Sequence, residues 1–323
     1  MKHTKILVAA LFCLGLAAVS CAEKEKGYEP LQPDLKILLY PQGQTVDAGI
    51  VENGVQITQG PGEDNGLRGE EKMNERGNIS NVNDSARMEI YFPKNPNGLV
   101  IVNCPGGGYS IVSSINEGLC AAEWLTSQGV TVCNLIYRLP NFHRTVPLTD
   151  VQNAFRYCRA HAAEWGCSKV GVMGYSAGGH LAASASTLFV DEITRPDFSI
   201  LIYPVIDLDL AITHKGTRLR LLGENPSEEL LEHYSLNKQV SDNTPVTFIA
   251  LSSYDKTVAP ENSIRYYNAL HEHNIECQLH MYPLGGHGWG FYHEPYSKDK
   301  LEQYREVFYA DLGRFLKDQA GIK

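Results

Sequence analysis

The chain has 323 residues and carries 28 Lys and Arg against 37 Asp and Glu, which gives a formal charge of −9 at pH 7. Hydrophobic residues make up 43% and charged residues 20%, a mixture typical of a folded globular protein and not of a disordered one. The acidic balance argues against a general nucleic-acid binder, and no apolar run after the N-terminus is long enough to cross a bilayer. One α/β domain of about 250–300 residues accounts for most of the length.

The first 22 residues have the pattern of a secretory signal peptide. Lys2 and Lys5 supply the charged start, and the apolar run from Ile6 to Val19 is too short for a comfortable transmembrane helix. A buried N-terminal helix is the alternative interpretation of this segment. The signal pattern predicts an exported protein.

Two cleavage positions compete at the end of the signal. Cys21 directly follows small residues, a pattern that resembles a lipobox and predicts cleavage before Cys21 with lipidation of its thiol. Ordinary cleavage after Ala22 is the alternative. The polar residues 23–34 then form a tether, and residues 35–323 form a single folded domain. We thus expect a protein of the bacterial periplasm or outer membrane, with the lipid anchor as its only membrane contact.

The rest of the chain changes character near Gly98. Residues 28–97 are irregular, apart from strand signals at 35–40 and 88–92. Beyond them, predicted strands cover 99–103, 130–137, 169–174, 198–203, 246–252 and 276–282. Predicted helices cover 117–128, 148–165, 176–189, 262–273 and 300–317. This alternation indicates an α/β fold with a mostly parallel central sheet and helices on both faces, and the polar residues 205–242 indicate a small insertion after the sixth core strand.

The strongest motif follows the strand at 169–174. Gly174-Tyr-Ser-Ala-Gly178 has the form G-x-S-x-G between a strand and a helix. Its glycines permit a turn tight enough to expose Ser176 above the sheet, at the edge where ligands of such sheets bind. The N–H groups that begin the following helix point to the same place. The motif predicts Ser176 as a nucleophile.

A serine hydroxyl needs a base and an acid that orients the base. In this layout the order along the chain is Ser, then Asp or Glu, then His. Asp255 follows the strand at 246–252, and His287 follows the strand at 276–282 in a glycine-rich segment. Both therefore stand at the expected sheet edge, and we predict Asp255 and His287 as the partners of Ser176.

Four other residues compete for these roles. Asp207 and Asp209 also follow a strand, but one strand too early. His293 is close to His287 in sequence and lacks the glycine setting. His180 lies four residues into the helix after Ser176, where a packing role is the more common explanation.

A third glycine segment, Cys104-Pro-Gly-Gly-Gly-Tyr109, follows the strand at 99–103. Acyl transfer develops a negative oxygen, and unobstructed backbone N–H groups stabilise it. The position predicts an oxyanion hole made by Gly107 or Gly108 together with Ala177. A flexible turn is an alternative. A phosphate loop is not, because no Lys-Ser or Lys-Thr follows the glycines.

Six cysteines follow Cys21, and export would allow them to oxidise. Cys104 and Cys133 stand in apolar strand-like runs, where Cys behaves as a small hydrophobe. Cys158 with Cys167 is the one candidate pair, so the sequence indicates no dense disulfide framework.

Together these residues resemble the α/β-hydrolase superfamily, and within it the bacterial acetyl-xylan-esterase-like carbohydrate esterases. The resemblance covers roughly residues 85–318. It is carried by Pro105-Gly-Gly-Gly-Tyr109, Tyr137-Arg-Leu-Pro140, Pro147-Leu-Thr-Asp150, Gly174-Tyr-Ser-Ala-Gly-Gly-His180, Tyr203-Pro204, Asp255-Lys-Thr-Val-Ala-Pro260 and Gly285-Gly-His-Gly288. One departure is Pro105, which stands where a His often precedes the glycines.

The resemblance implies an α/β-hydrolase catalytic domain and a serine-dependent carboxylic ester hydrolase. Ser176 would be the nucleophile, His287 the base and acid, and Asp255 the group that orients His287. It implies a structural role for Arg138 beneath the oxyanion loop, with substrate binding as the alternative. The expected substrate is a short acyl ester, acetyl above all, on a plant polysaccharide or oligosaccharide such as xylan.

Three aromatic residues lie near the predicted site in sequence: Tyr109, Trp289 and Tyr292. They are candidates for stacking on a sugar, and local packing is the alternative. No metal, organic cofactor or nucleic-acid partner is expected, and the oligomeric state is left open. Two rival functions remain: a prolyl-oligopeptidase-like serine peptidase, which usually needs a large accessory domain, and an inactive glycan-binding protein with the hydrolase fold.

Overall fold

The computed structural model describes residues 30–40, 51–52, 55–56, 70–82, 86–294 and 296–322. The predicted signal peptide with Cys21, and most of the tether, lie outside these residues. Leu31–Lys323 forms one unit of the chain. Among the described helices, none has the length and apolarity needed to cross a membrane.

The strands of the described residues occur in three sheets. Their bounds are β1 Leu35–Leu38, β2 Val51–Glu52, β3 Val55–Gln56, β4 Lys72–Met73, β5 Asn78–Ser80, β6 Arg87–Tyr91, β7 Leu99–Cys104, β8 Ile111–Ser113, β9 Thr131–Ile136, β10 Lys169–Tyr175, β11 Phe198–Ile202, β12 Val246–Ser252 and β13 Cys277–Tyr282. The α-helices are α1 Cys120–Ser127, α2 Thr145–His161, α3 Ser176–Thr187, α4 Lys215–Leu222, α5 Glu228–Tyr234, α6 Glu261–Glu272 and α7 Arg305–Ala320. A π-helix at Ile115–Leu119 precedes α1, and 3₁₀-helices lie at Leu236–Lys238 and Glu302–Tyr304.

The central sheet has eight strands in the order β1-β6-β9-β7-β10-β11-β12-β13. The strands β9, β7, β10, β11, β12 and β13 run parallel to one another. β6, between β1 and β9, runs antiparallel to both of these strands. Helices α4 and α5 lie between β11 and β12, and β11 is the sixth strand of this sheet in chain order. The predicted mostly parallel sheet and the insertion after its sixth strand are therefore confirmed.

Helices cover both faces of the sheet. Successive side chains of a buried strand point to opposite faces, so each strand contributes to the core on either side. In β7, Val100 and Val102 belong to the core that includes residues of α2, α3 and α6. Leu99 and Ile101 belong to the core that includes residues of α1 and α7. The near-continuous apolar runs in the sequence reflect this burial on both faces.

The structure corrects two expectations. The segment 28–97 contributes to a three-stranded sheet, β4-β5-β8, in which β5 pairs with β8 directly after the glycine segment. Cys158 and Cys167 do not form a disulfide. The thiol of Cys158 instead contacts that of Cys133 at 3.6 Å, and all six cysteines from Cys104 onward are free.

Candidate active site

Ser176 lies on a strained turn between β10 and α3. Its φ is +53°, which is unusual for a residue with a side chain. The turn needs glycine on both sides of it. A Cβ on Gly174 would lie 2.2 Å from the carbonyl oxygen of Gly178, and a Cβ on Gly178 would lie 2.2 Å from that of Cys104. The G-x-S-x-G pattern is thus explained by close backbone packing.

The structure brings His287 and Asp255 to Ser176. The Oγ of Ser176 lies 2.8 Å from Nε2 of His287, and Nδ1 of His287 lies 2.6 Å from Oδ2 of Asp255. The other Asp255 oxygen accepts the N–H groups of Thr257 and Val258 at 2.8 and 2.9 Å. Because the carboxylate is an acceptor, it keeps the proton on Nδ1 and leaves Nε2 free to accept the Ser176 proton.

The loop that carries His287 is held from several directions. The Gly286 N–H donates to Oγ of Ser252 at 3.0 Å, at the end of β12. The Lys300 ammonium donates to the carbonyl of His287 at 2.8 Å. The imidazole also packs on the ring of Tyr203, with centroids 4.8 Å apart. These contacts fix the imidazole without using either ring nitrogen.

The predicted oxyanion loop also has a backbone conformation that favours glycine. Gly107 and Gly108 have φ values of +133° and +63°, and a Cβ on Gly107 would lie 2.1 Å from the carbonyl of Ile111. Within the described part of the chain, their N–H groups meet no acceptor. The Ala177 N–H lies in the first turn of α3, where N–H groups have no partner within the helix. These donors are available for a developing negative oxygen.

A cleft of about 570 Å³ contains Ser176, His287 and the two glycines. Its other lining side chains carry amide, hydroxyl, imidazole and guanidinium groups, the carboxyl of Glu117 and the apolar chain of Ile111, and none of the described lining residues is Phe, Tyr or Trp. His214 and Arg220 reach the cleft from the insertion, and Nη1 of Arg220 donates to the carbonyl of Gly108 at 3.2 Å. Sequence reasoning missed both residues, since no local motif marks them.

The prediction that Tyr109 and Trp289 bind a sugar is wrong. Tyr109 is 1% exposed and Trp289 is 2% exposed, so neither ring presents a face to the cleft. The Tyr109 hydroxyl contacts Nδ1 of His180 at 3.1 Å, and Trp289 packs edge-on against Phe308. Tyr292 is half-buried and is not among the residues that line the cleft.

The competing candidates for base and acid are engaged elsewhere. Asp207 pairs with Arg265 at 2.7 Å, His293 lies 3.3 Å from Glu123, and Nε2 of His180 lies 2.9 Å from the carbonyl of Tyr234. Asp209 lies 3.8 Å from the same Arg265 guanidinium. None of these contacts leads to Ser176, which agrees with their rejection on sequence grounds.

His180 provides a prediction about pH. Burial lowers the pKa of this imidazole from 6.5 to about 4. Because the folded pKa is below the unfolded one, the stability linked to His180 is present above pH 6.5 and is lost as pH falls toward 4. The loss expected by pH 4 is about 3 kcal/mol.

Urea unfolding across this range should show a smaller acid-induced loss for His180→Gln than for wild type. The same change at exposed His271 should leave the pH dependence as in wild type, and equal curves for all three proteins would contradict the assignment.

A serine on a strained strand–helix turn, joined to His and Asp above a mostly parallel sheet, defines the α/β-hydrolase class. The model of the BD-FAE family matches residues 88–270 of the chain. The chain belongs to the BD-FAE family, and the resemblance to α/β-hydrolase esterases is confirmed.

Two of the similar proteins are named for activity on xylan or its acetyl esters. An acetylxylan esterase of Xylanibacter ruminicola is 39% identical over 238 residues, which cover 72% of this chain and 48% of that protein. Endo-1,4-beta-xylanase B of Butyrivibrio fibrisolvens is 37% identical over 201 residues, covering 57% and 31%. The chain thus spans about half or less of the length of these relatives.

Solved structures show the same fold. The acetyl ester-xyloside bifunctional hydrolase of Caldicellulosiruptor lactoaceticus superposes with a TM-score of 0.68 at 27% identity, over 91% of this chain and 99% of that one. A sugar hydrolase of Lactococcus lactis gives a TM-score of 0.63 at 26% identity, over 77% and 98%.

Proposed function

We propose that this protein is a serine carboxylic ester hydrolase that removes short acyl groups, acetyl above all, from xylan or related plant glycans. The observation that carries the proposal is the hydrogen-bonded chain from Ser176 through His287 to Asp255, with distances of 2.8 and 2.6 Å. A nucleophile, a base and an orienting acid in this contact are the parts that acyl transfer needs.

The proposed reaction has two halves. In the first, Nε2 of His287 takes the proton of Ser176 while Oγ attacks the ester carbonyl. Asp255 holds the imidazolium that forms. The carbonyl oxygen becomes negative and is met by the N–H groups of Ala177 and of Gly107 or Gly108. The alcohol leaves with the proton from His287, and an acyl group remains on Ser176.

In the second half, water replaces the alcohol. His287 removes a proton from the water, and the resulting hydroxide attacks the acyl carbonyl. The acid is released as His287 returns its proton to Oγ of Ser176. Every proton passes through Nε2, so the Nδ1 contact with Asp255 serves both halves.

The chemistry of the cleft supports a glycan substrate. Its wall offers amides and hydroxyls such as those of Asn78, Asn116 and Thr257, which suit an alcohol rich in hydroxyl groups. The relatives named for acetylxylan ester and xylan chemistry support the same substrate class. Sugar stacking on Tyr109 and Trp289 has no part in the proposal, because both rings are buried.

The proposal is tested with a fluorophosphonate probe and a substrate panel. We expect the probe to label Ser176 and the protein to release acetate from acetylated xylan and from p-nitrophenyl acetate. p-Nitrophenyl esters of increasing chain length should be cleaved progressively more slowly. Absence of labelling would favour the inactive glycan-binding alternative. Cleavage of prolyl peptides without release of acetate would favour the peptidase.

We also propose export with a lipid anchor at Cys21, which the N-terminal sequence pattern supports. The anchor fits an enzyme whose polymeric substrate stays outside the cell. Mass spectrometry of the mature protein would then show a lipidated N-terminus at Cys21. An unmodified N-terminus beyond Ala22 would favour ordinary signal cleavage.

A further inference from the structure

Glu117 is a buried carboxyl in the wall of the cleft that the mechanism above does not use. It lies in the π-helix at Ile115–Leu119 and is 4% exposed. In the described part of the chain no Lys, Arg or His forms an ion pair with it. Burial raises the pKa of this carboxyl. An acid in such a position costs stability unless its oxygens are hydrogen-bonded, so its partners show what it does.

One oxygen of Glu117 holds the base of the oxyanion loop. The N–H of Gly106, directly before Gly107, donates to Oε2 at 2.7 Å. A Cβ on Gly106 would lie 2.9 Å from this oxygen and 2.7 Å from the carbonyl of Tyr175. The loop is therefore confined between Glu117 and the turn that carries Ser176.

The other oxygen leads to the loop that carries His287. The Tyr203 hydroxyl donates to Oε1 of Glu117 at 2.8 Å and accepts the N–H of Gly290 at 2.8 Å. The Tyr203 ring also packs on the imidazole of His287, with centroids 4.8 Å apart. Its backbone has a φ of +39°, a strained conformation at the end of β11.

A neighbouring residue makes a similar connection. Nδ2 of Asn116 contacts the carbonyl of Gly288 at 3.4 Å. A Cβ on Gly290 would lie 2.9 Å from the same Nδ2 atom. Two successive residues of one π-helical turn therefore contact the loops of the site: Glu117 contacts the oxyanion loop and, through Tyr203, the His287 loop, and Asn116 contacts the His287 loop. Such π-helical turns occur often at functional sites.

We propose that Glu117 is a positioning residue, which sets the spacing between the oxyanion loop and the His287 loop by bonding Gly106 and Tyr203 at once. This inference rests on the proposed esterase function. The donors must meet an oxygen bound to the carbon that Ser176 attacks, while His287 must meet Oγ. A displacement of either loop by about 1 Å is enough to lower the rate about 10²-fold.

The requirement for a carboxyl follows from its two acceptor oxygens. A Gln at this position offers one acceptor for Gly106, and its amide N–H can donate to the Tyr203 oxygen, which reverses one bond. An Ala offers neither contact. The order of activity expected is therefore wild type, then Glu117→Gln, then Glu117→Ala.

The experiment measures hydrolysis of p-nitrophenyl acetate per serine labelled by the fluorophosphonate probe, so that unfolded protein is not counted. For Glu117→Ala we expect kcat to fall about 10²-fold with KM changed less than about threefold. For Glu117→Gln we expect a fall of less than about tenfold. Tyr203→Phe should lower kcat, and the double variant with Glu117→Ala should lose less than the product of the two single losses.

Asp197→Ala is the matched control. Asp197 is a half-buried carboxylate with a structural role: its Oδ2 accepts the N–H of Val170 at 2.6 Å and pairs with Arg159 at 2.6 Å. It precedes β11 and so lies at the opposite edge of the sheet from Ser176. We expect a lower Tm for this variant and an unchanged kcat for each labelled serine.

The outcomes separate three explanations. If Glu117→Ala behaves as Asp197→Ala does, Glu117 is only structural and the inference is overturned. If Glu117→Ala does not fold, Tyr203→Phe decides, and an unchanged kcat for each labelled serine would overturn the inference. A wild-type protein that neither reacts with the probe nor hydrolyses an ester would overturn the proposed function itself.

Discussion

Replacing Ser176 with Ala should lower the rate of p-nitrophenyl acetate hydrolysis by at least about 10⁴-fold. The substitution removes the oxygen that would form the acyl intermediate, and water would have to attack without it. The fold should survive, because Ala keeps the Cβ and, among the described residues, loses one side-chain bond, the 2.8 Å contact with His287. Stopped-flow or steady-state assays, with Tm as the measure of folding, check both statements.

The same substitution two turns later in α3 is the control. Oγ of Ser184 donates to the carbonyl of His180 at 2.8 Å, and Ser184 is buried outside the cleft. Ser184→Ala should therefore keep the wild-type rate. Near-normal turnover by Ser176→Ala would contradict the assignment of Ser176 as nucleophile. A loss of rate in Ser184→Ala as large as that in Ser176→Ala would show that the assay reports damage to α3.

The parts of the fold that were predictable are those with a local cause. The strand at 169–174 is apolar because β10 is buried on both faces, and it lies one residue from the observed bounds. The glycines around Ser176 are needed by the turn itself, since a Cβ at Gly174 or Gly178 would meet backbone at 2.2 Å. Order along the chain then identified Asp255 and His287, because parallel strands deliver their following loops to one edge.

The parts that were not predictable depend on distant contacts. Tyr109 and Trp289 stand next to site residues in sequence, yet their side chains point into the core, which no nearby residue specifies. In the sequence, Glu117 is an ordinary residue at the start of the helix predicted at 117–128. Its role depends on Tyr203, which is 86 residues away and meets it only when β11 is in place.

The sheet formed by β4, β5 and β8 was missed for the same reason. Its strands are two or three residues long, too short for a pattern of alternation to show. They are held by pairing between Asn78–Ser80 and Ile111–Ser113, more than thirty residues apart. The consequence is functional, since this sheet extends the oxyanion loop into the cleft wall at Asn78 and Ser113.

Arg138 shows how a motif of the resemblance can be structural. Its side chain is fully buried, which rules out the alternative role in binding substrate. The guanidinium meets Asp150 with Nε at 3.0 Å and Nη2 at 2.6 Å, and the Arg138 N–H donates to the same carboxylate at 2.9 Å. The Tyr40 hydroxyl completes the cluster, donating to Asp150 at 2.5 Å and accepting from Nη2 at 2.7 Å. The cluster joins the ends of β1 and β9 to helix α2.

Replacing Asp150 with Ala should lower the free energy of unfolding by about 3–5 kcal/mol, because it removes the carboxylate that balances the buried Arg138 charge. The double variant Arg138→Met with Asp150→Leu should lose less than the single variant, since it removes both charges and fills the volume. Urea unfolding measures each loss, and active-site labelling should remain where the protein is folded.

The matched control is an exposed pair of the same type. Arg156 and Asp191 lie 2.8 Å apart, with side chains 43% and 40% exposed. Arg156→Ala should cost less than about 1 kcal/mol, because water already screens this pair and Asp191 keeps the bond from the Thr194 N–H at 2.8 Å. A similarly small loss for Asp150→Ala would mean that water reaches the Arg138 guanidinium once the carboxylate is gone. A double variant less stable than Asp150→Ala would mean that the hydrogen bonds of the cluster outweigh the cost of burying its charges.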